Sequence, residues 1–422
     1  MTKSLPTGGR RPAPLRLIAT AHAVSTYGSF LNLVALGLFA LHLTGSALQT
    51  GLFMAVRLTA GFVMGPLAGH LATRYPARPL MIGCDLLSAG ALALLVVLPT
   101  GAQPRMLYVL AVVLGAGQTL WGVALRSSLP ALVGPDRRAR ANAQIVTARS
   151  VAMLLGFASA GVLVAQVGYH AAFLIDAASF TVSALLLLAV PAPAPRGKPR
   201  STTDTAAAGP NTRRLGVLRG VTPVVLAMIA VRSADALGSA SHNVGLPVYA
   251  TLARPDSPAV FAASFTTAWA AGSLLAGRWF AHRAKRGAPT GSERAFGIAT
   301  CLMSVGFILA FTAPPIWALI VVTLVAGAAD GYAEISYTTR LQAVDESRRA
   351  HLFGFASAAQ NGGFGLGMVG CAVLLDRIDP FPVVAAAHGL ALLTALAFLV
   401  ARRHLYAAPQ PRPTARPVEV TQ

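Results

Sequence analysis

The sequence predicts an all-α membrane protein of twelve transmembrane helices in two pseudo-symmetric six-helix bundles, and three observations carry that prediction. Of 422 residues, 55% are hydrophobic and 11% charged, with a mean hydropathy of +0.62, whereas a soluble globular domain carries about 25% charged residues. Apolar runs long enough to cross a bilayer, about 20 residues each, recur along the whole chain. Arginine-rich connections alternate with connections that are nearly free of basic residues. Together these features exclude a soluble enzyme, a disordered scaffold and a nucleic-acid-binding domain, despite a formal net charge of +20.

Taken in order, residues 1–14 form a basic tail and the first span runs over about 15–43. The small-residue sequence AHAVS gives this start the look of a signal peptide, but the apolar run continues to Leu43, too far for a cleaved segment. The next five spans occupy about 47–72, 80–99, 106–126, 142–166 and 171–190, completing a bundle over 15–190. Residues 191–219 are rich in Pro, Ser, Thr and Arg, cannot cross lipid, and read as a solvated linker. Six further spans follow at about 220–250, 257–281, 295–313, 315–338, 352–375 and 380–401, giving a second bundle over 220–401 before a tail at 402–422.

One set of connections carries Arg74 and Arg78, Arg137, Arg138 and Arg140, the arginines of the linker, Arg283, Lys285, Arg286 and Arg294, and Arg340, Arg348 and Arg349; both tails are also basic. The opposite set has Arg105, Arg254 and Arg377. The positive-inside rule then places the tails and linker in the cytoplasm, as expected of a multi-pass protein of the inner (cytoplasmic) membrane. The basic residues are spread over short loops, so no nucleic-acid partner is implied. Cys84, Cys301 and Cys371 are odd in number and lie in apolar runs, which implies no disulfide framework. No HExxH, phosphate-cradling GKS or GKT loop, or Cys/His cluster is present, so neither a metal nor another cofactor is expected, and ATP-driven transport is not indicated.

The halves share a faint signature. The second span ends in GPLAGHLATRYPARP and the eighth in AGSLLAGRWFAHRAKRG, each a glycine-rich helix end running into a basic loop. Glycines allow close helix approach, although any tight hairpin could look the same. Six plus six spans about a linker is the arrangement of transporters built from repeats around a midplane site.

At these residues the chain resembles the major facilitator superfamily, in particular its enterobactin-exporter-like and drug-exporter branches. Gly65, Pro66, Leu67, Ala68, Gly69, Leu71, Arg74 and Arg78 match the superfamily's loop motif between helices two and three. Thr73 stands where that motif has aspartate, and Asp85, about a turn into helix three, is a candidate substitute in the gating network the motif implies. The likeness extends through LTGSALQTGL, LRSSLPALVGPDRRARANA and FLIDAASFTVSALLLL, and more weakly through TRLQAVDESRRAHLFGF. LLGFASAG resembles a degraded antiporter motif, with Gly156 and Gly161 in place and Phe157 and Ala160 where proline and glycine are usual. The arginine that many proton-coupled relatives carry in helix four has no counterpart in VVLGAGQTLW. The resemblance implies that helices one, four, seven and ten line a central cavity.

A charge at the bilayer centre costs about 2.5–3.5 kcal/mol even on insertion scales, so ionisable residues within spans are functional candidates. Asp235, Asp330 and Glu334 are the candidate proton carriers, with Arg57, Arg149 and Arg232 as charge partners. Arg232 and Asp235 are three apart and Asp330 and Glu334 four apart, spacings that put each pair on one helix face. The alternatives are a neutralised structural pair for the first and a Glu334 that reaches cytoplasmic water for the second. Arg126 and Asp176, near span ends, read as structural. Tyr27, Trp121, His242 and Asn243 are candidate substrate contacts; a polar residue satisfied by a neighbouring helix is the preferred reading of His242, and ordinary helix packing also accounts for Tyr27 and Trp121. Gly362, Gly363, Gly365, Gly367 and Gly370 favour close packing of the eleventh helix.

The expected activity is secondary transport: export of a small amphipathic compound, such as an antibiotic, siderophore or other secondary metabolite, by proton antiport and alternating access, with a monomer as the unit. A metabolite importer of the same fold, or a membrane-embedded enzyme or sensor, is the alternative. SRRAHLFG is the nearest thing to an enzyme-like cluster, and a positive-inside loop explains it better.

Overall fold

The computed structural model describes residues 13–44, 47–190, 221–256, 258–286 and 291–407. The expected tails and linker lie outside the described residues, apart from a few positions at their edges. The helices are α1 (Ala13–Thr44), α2 (Ala47–Arg74), α3 (Ala77–Val97) and α4 (Gln103–Val133). The stretch Arg138–Leu188 follows a short turn and is broken at Gly168 (φ 78°), giving α5 (138–167) and α6 (169–188). The second half holds α7 (Pro223–Ala253), α8 (Pro258–Lys285), α9 (Glu293–Ala310), α10 (Ile316–Leu341), α11 (Glu346–Leu375) and α12 (Pro380–Ala407). No strand occurs among the described residues.

The chain punctuates these helices by ordinary rules. Proline opens α7, α8 and α12, where a missing N–H costs nothing. Ser292 caps α9 by accepting a bond from the Ala295 amide at 3.1 Å. Gly134 and Gly168 take positive φ at the two breaks flanking α5, a conformation that a side chain disfavours.

Eleven of the helices are long and apolar enough to cross a membrane. The twelfth, α8, is diluted by Ser264, Thr266, Thr267, Ser273 and Arg278, and it rests on protein: a Cβ at Gly272 would collide with the backbone of α10 at Leu324. Each half has its own core, around Leu31, Phe53, Leu92, Leu110 and Phe173 in the first and Phe265, Phe296, Phe307, Tyr337 and Phe353 in the second. Leu87, Val97, Leu366, Leu393 and Val400 stand outward and exposed. So broad an apolar belt would be a liability in water and is what lipid requires.

The halves join along two seams, α2 against α11 and α5 against α8, both on the side of the arginine-rich loops. Gly65 faces the Gly354 carbonyl and Ala358, Gly69 faces Ala350 and His351, and Gly277 faces Ala143 and Thr147. Hydrogen bonds reinforce them: Asn142 Nδ2 donates to Gln342 Oε1 (2.8 Å) and Thr339 Oγ1 (2.9 Å), Arg138 to the Gln342 carbonyl (2.8 Å), and Ser150 Oγ to Ser273 Oγ (3.0 Å). These residues all lie in the half of their helix nearest the basic loops. The faint repeat in the sequence therefore marks the two helices, α2 and α8, whose basic ends meet the opposite bundle.

Candidate functional site

Just above this closed side, four helices converge on one charged cluster. Arg232 of α7 donates through Nη1 to Asp235 Oδ2 (2.6 Å) and Asp330 Oδ1 (3.2 Å), and through Nη2 to Glu334 Oε2 (2.9 Å). Helical spacing explains the gathering: one turn brings Arg232 over Asp235, and one turn of α10 aligns Asp330 with Glu334. From the other half, Arg126 of α4 donates to Glu334 Oε1 at 3.0 Å, and Thr338 donates to the same oxygen at 3.2 Å. Glu334 therefore bridges the bundles, one oxygen held from each side.

Asp330 is the fifteenth of the 26 residues of α10 and Asp235 the thirteenth of the 31 of α7, close to the middle of their spans. Side-chain exposure is 4% for Asp235, 11% for Glu334, 12% for Arg232, 18% for Asp330 and 31% for Arg126, so Arg126 is the most exposed of the five and Asp235 the least. Asp235 Oδ1 is buried without a hydrogen-bond partner. An orphaned carboxylate oxygen at membrane depth is costly as an acceptor and is relieved by a proton.

Arg149 of α5 completes the cluster from the first half. It lies seven residues beyond Asn142, on the face that meets α10, its charge acts on Glu334 and Asp330, and its side chain is exposed. Such a cluster, bonded across the seam and buried at its acid end, can exchange protons or ligand charges and thereby hold or release the two halves.

The Major Facilitator Superfamily profile matches residues 18–291, more than half of the chain. The chain belongs to the major facilitator superfamily. Among solved structures of similar fold, a bacterial homologue of the iron transporter ferroportin, in an outward-facing state, aligns with 93% of this chain and 99% of its own at 14% identity and a TM-score of 0.70. The human organic anion transporter MFSD10 (TETRAN) aligns with 92% of this chain and 100% of its own at 14% identity and a TM-score of 0.72. No curated protein sequence matches the chain. The protein is a multi-pass transmembrane transporter, not an enzyme.

Within that superfamily frame several expectations are corrected. Arg126 is a bridge between the halves, not an end-of-span structural residue, because α4 continues to Val133 and leaves Arg126 about two turns inside. Glu334 does not simply reach water, being held by two arginines and Thr338. Asp85 is no part of a loop latch: it is buried and accepts a bond from Ser183 Oγ of α6 at 2.7 Å, inside its own bundle. Arg78 donates to the Leu188 carbonyl at 2.5 Å and Arg74 lies over Tyr75, both also within the first half. Of the loop motif, Gly65, Ala68 and Gly69 pack against the second half.

Arg57 does not neutralise the cluster acids; it donates to Gln118 Oε1 at 3.4 Å. His242 is not on a cavity wall but buried, with Nδ1 3.0 Å from His388 Nε2 and its ring stacked on Phe307. Trp121 is covered by His22, the rings 4.9 Å apart. Tyr27 bonds Ser159 of α5 at 3.1 Å, and Gly156 packs on Tyr27 and Phe30, so this part of the antiporter-like motif joins α1 to α5 within one bundle; Gly161 lies farther along α5. Asn243 is exposed, eleven residues beyond Arg232 and thus on the same face of α7.

Asp176 is fully buried and accepts from Asn32 Nδ2 at 2.6 Å and from Ser179 Oγ at 3.2 Å. A Cβ at Gly28 would collide with Ser179 Oγ and Asp176 Oδ1. Gly28→Val is therefore expected to cost about 1–3 kcal/mol by overpacking, read as a lower melting temperature of the purified protein. An unchanged melting temperature would show that α1 and α6 can part without loss.

Proposed function

We propose that this transporter exports a small amphipathic compound, such as an antibiotic, siderophore or other secondary metabolite, in exchange for protons. The observation that carries the reading is Glu334 bridging Arg126 of one bundle and Arg232 of the other at the inner edge of the closed seam. The positive-inside rule puts the arginine-rich side in the cytoplasm, so the closed seam is the cytoplasmic gate and the cluster faces outward. A proton arriving from outside neutralises a cluster carboxylate. Glu334 then loses its hold on Arg126 and the cytoplasmic side is free to part. Cargo binding from the cytoplasm displaces the proton into the cytoplasm, and the recharged carboxylate restores the bridge. The two 6-helix bundles, 15–190 and 220–401, are the rocking units.

Everted membrane vesicles with an acidic interior test this. A transported compound is expected to accumulate inside and to discharge the pH gradient, both only when the protein is present and both abolished by nigericin. Accumulation in right-side-out vesicles alone would make the protein an importer.

A further inference from the structure

With all six groups ionised, Arg126, Arg149 and Arg232 balance Asp235, Asp330 and Glu334, and the cluster is neutral. Its members are not equally committed. Arg126 and Arg232 are ion-paired, whereas Arg149 forms no hydrogen bond or ion pair among the described residues. Its exposure is not toward lipid. Val151 and Leu155, the exposed apolar residues of the same stretch, lie on other faces of α5, while Arg149 shares the face of Asn142, which is bonded to α10. An unpaired guanidinium thus opens onto the space between the bundles, within reach of the charges of Glu334 and Asp330. Of those acids Asp330 is the most exposed and is held by one bond, the longest that Arg232 makes, at 3.2 Å.

A ligand with net charge would leave that charge uncompensated at membrane depth, a cost that rises steeply away from water. One that brings both signs keeps the cluster neutral. We infer that the transported compound is zwitterionic, its carboxylate or similar oxyanion bound by Arg149 and its protonated amine by Asp330. Guanidinium is matched to an oxyanion by its planar fork of donors. The ammonium and the proton compete for the acid end of the cluster, and competition for one charge is what exchange requires. The inference rests on the export reading for that last step; recognition by Arg149 and Asp330 stands without it.

Matched forms of amphipathic scaffolds, a fluoroquinolone and an aminopenicillin among them, supply the test. Each scaffold is offered as the free zwitterion, its cationic ester, its anionic N-acyl acid and its neutral N-acyl ester. Thermal stabilisation of the purified protein is expected from zwitterions, with apparent affinity about tenfold weaker for the ester or the N-acyl acid, the loss of one charge-assisted contact. Arg149→Gln should bring the zwitterion down to the level of its ester while leaving the ester unchanged, and Arg149→Lys should recover part of the difference. Absence of zwitterions among the stabilisers, equal binding of zwitterion and ester, or equal loss of all forms in Arg149→Gln overturns the inference. A zwitterion that binds in this pattern but is not moved by a pH gradient in everted vesicles would remove the export reading and leave the site assigned.

Discussion

Asp235→Asn is expected to abolish pH-gradient-driven export while the protein still folds and binds its compound. The amide preserves the shape of the carboxylate and can still accept from Arg232, but it cannot change charge. Asp235 is the acid with the least exposure in the cluster, and its Oδ1 is left without a partner. The companion substitution separates coupling from simple neutralisation. If Asp235 only balances Arg232, removing both charges in Arg232→Gln/Asp235→Asn should restore transport. The wider bonding of Arg232 argues for the opposite outcome, because Asp330 and Glu334 also rest on it, and the double variant leaves Asp330 with no ion pair. Breaking a buried pair by removing one partner costs about 3–5 kcal/mol, so Arg232→Gln alone is expected to lower the melting temperature sharply, whereas Asp235→Asn is not. Transport measurements with surface expression matched decide between the accounts. Full gradient-driven activity in Asp235→Asn would move the coupling role to Asp330 and Glu334.

Much of the fold was legible because lipid imposes a one-dimensional rule. Long apolar runs must be helices, and arginine-rich connections must share a side. The bonding of Arg232 to Asp235 was legible for a similar reason, since a spacing of three fixes a shared face. Contacts between halves obey no such local rule. Arg126 and Glu334 stand 208 positions apart, and the first was placed at a span end because the span read over about 106–126 stops there, short of Pro130. Inside lipid, neighbouring helices tolerate an internal proline, and α4 runs through it. The apolar Leu129, Ala131, Leu132 and Val133 beyond Arg126 were the signal that the span continued. His242 failed for a different reason: its partner His388 lies on α12, and nothing local shows which way a buried ring turns. Asp85 failed because proximity to the loop motif in sequence says nothing of helix face, and its face is turned to Ser183.

Gly354→Val is expected to hold the arginine-rich side open and stop the transport cycle without unfolding either bundle. A Cβ at this position would collide with the Gly65 carbonyl oxygen and with the backbone of Gly69. Both obstacles are backbone, so no rotamer change relieves them, and packed interiors absorb such insertions poorly. Overpacking of this kind costs about 1–3 kcal/mol. Because the collision exists only where α2 and α11 touch, the cost falls on the closed arrangement and not on the folded bundles. At about 1.4 kcal/mol per tenfold, the closed population should drop about five- to 150-fold. Ser150, buried where α5 meets α8 and bonded to Ser273, reports on the second seam of the same side. In a background lacking Cys84, Cys301 and Cys371, a maleimide should modify Ser150→Cys slowly in the parent and fast beside Gly354→Val, with Gly365→Val, whose Cβ would meet open space, behaving as the parent. Slow modification and undiminished transport in Gly354→Val would show that the α2–α11 contact is not what closes this side, and would leave the Glu334 bridge and the α5–α8 seam to do so.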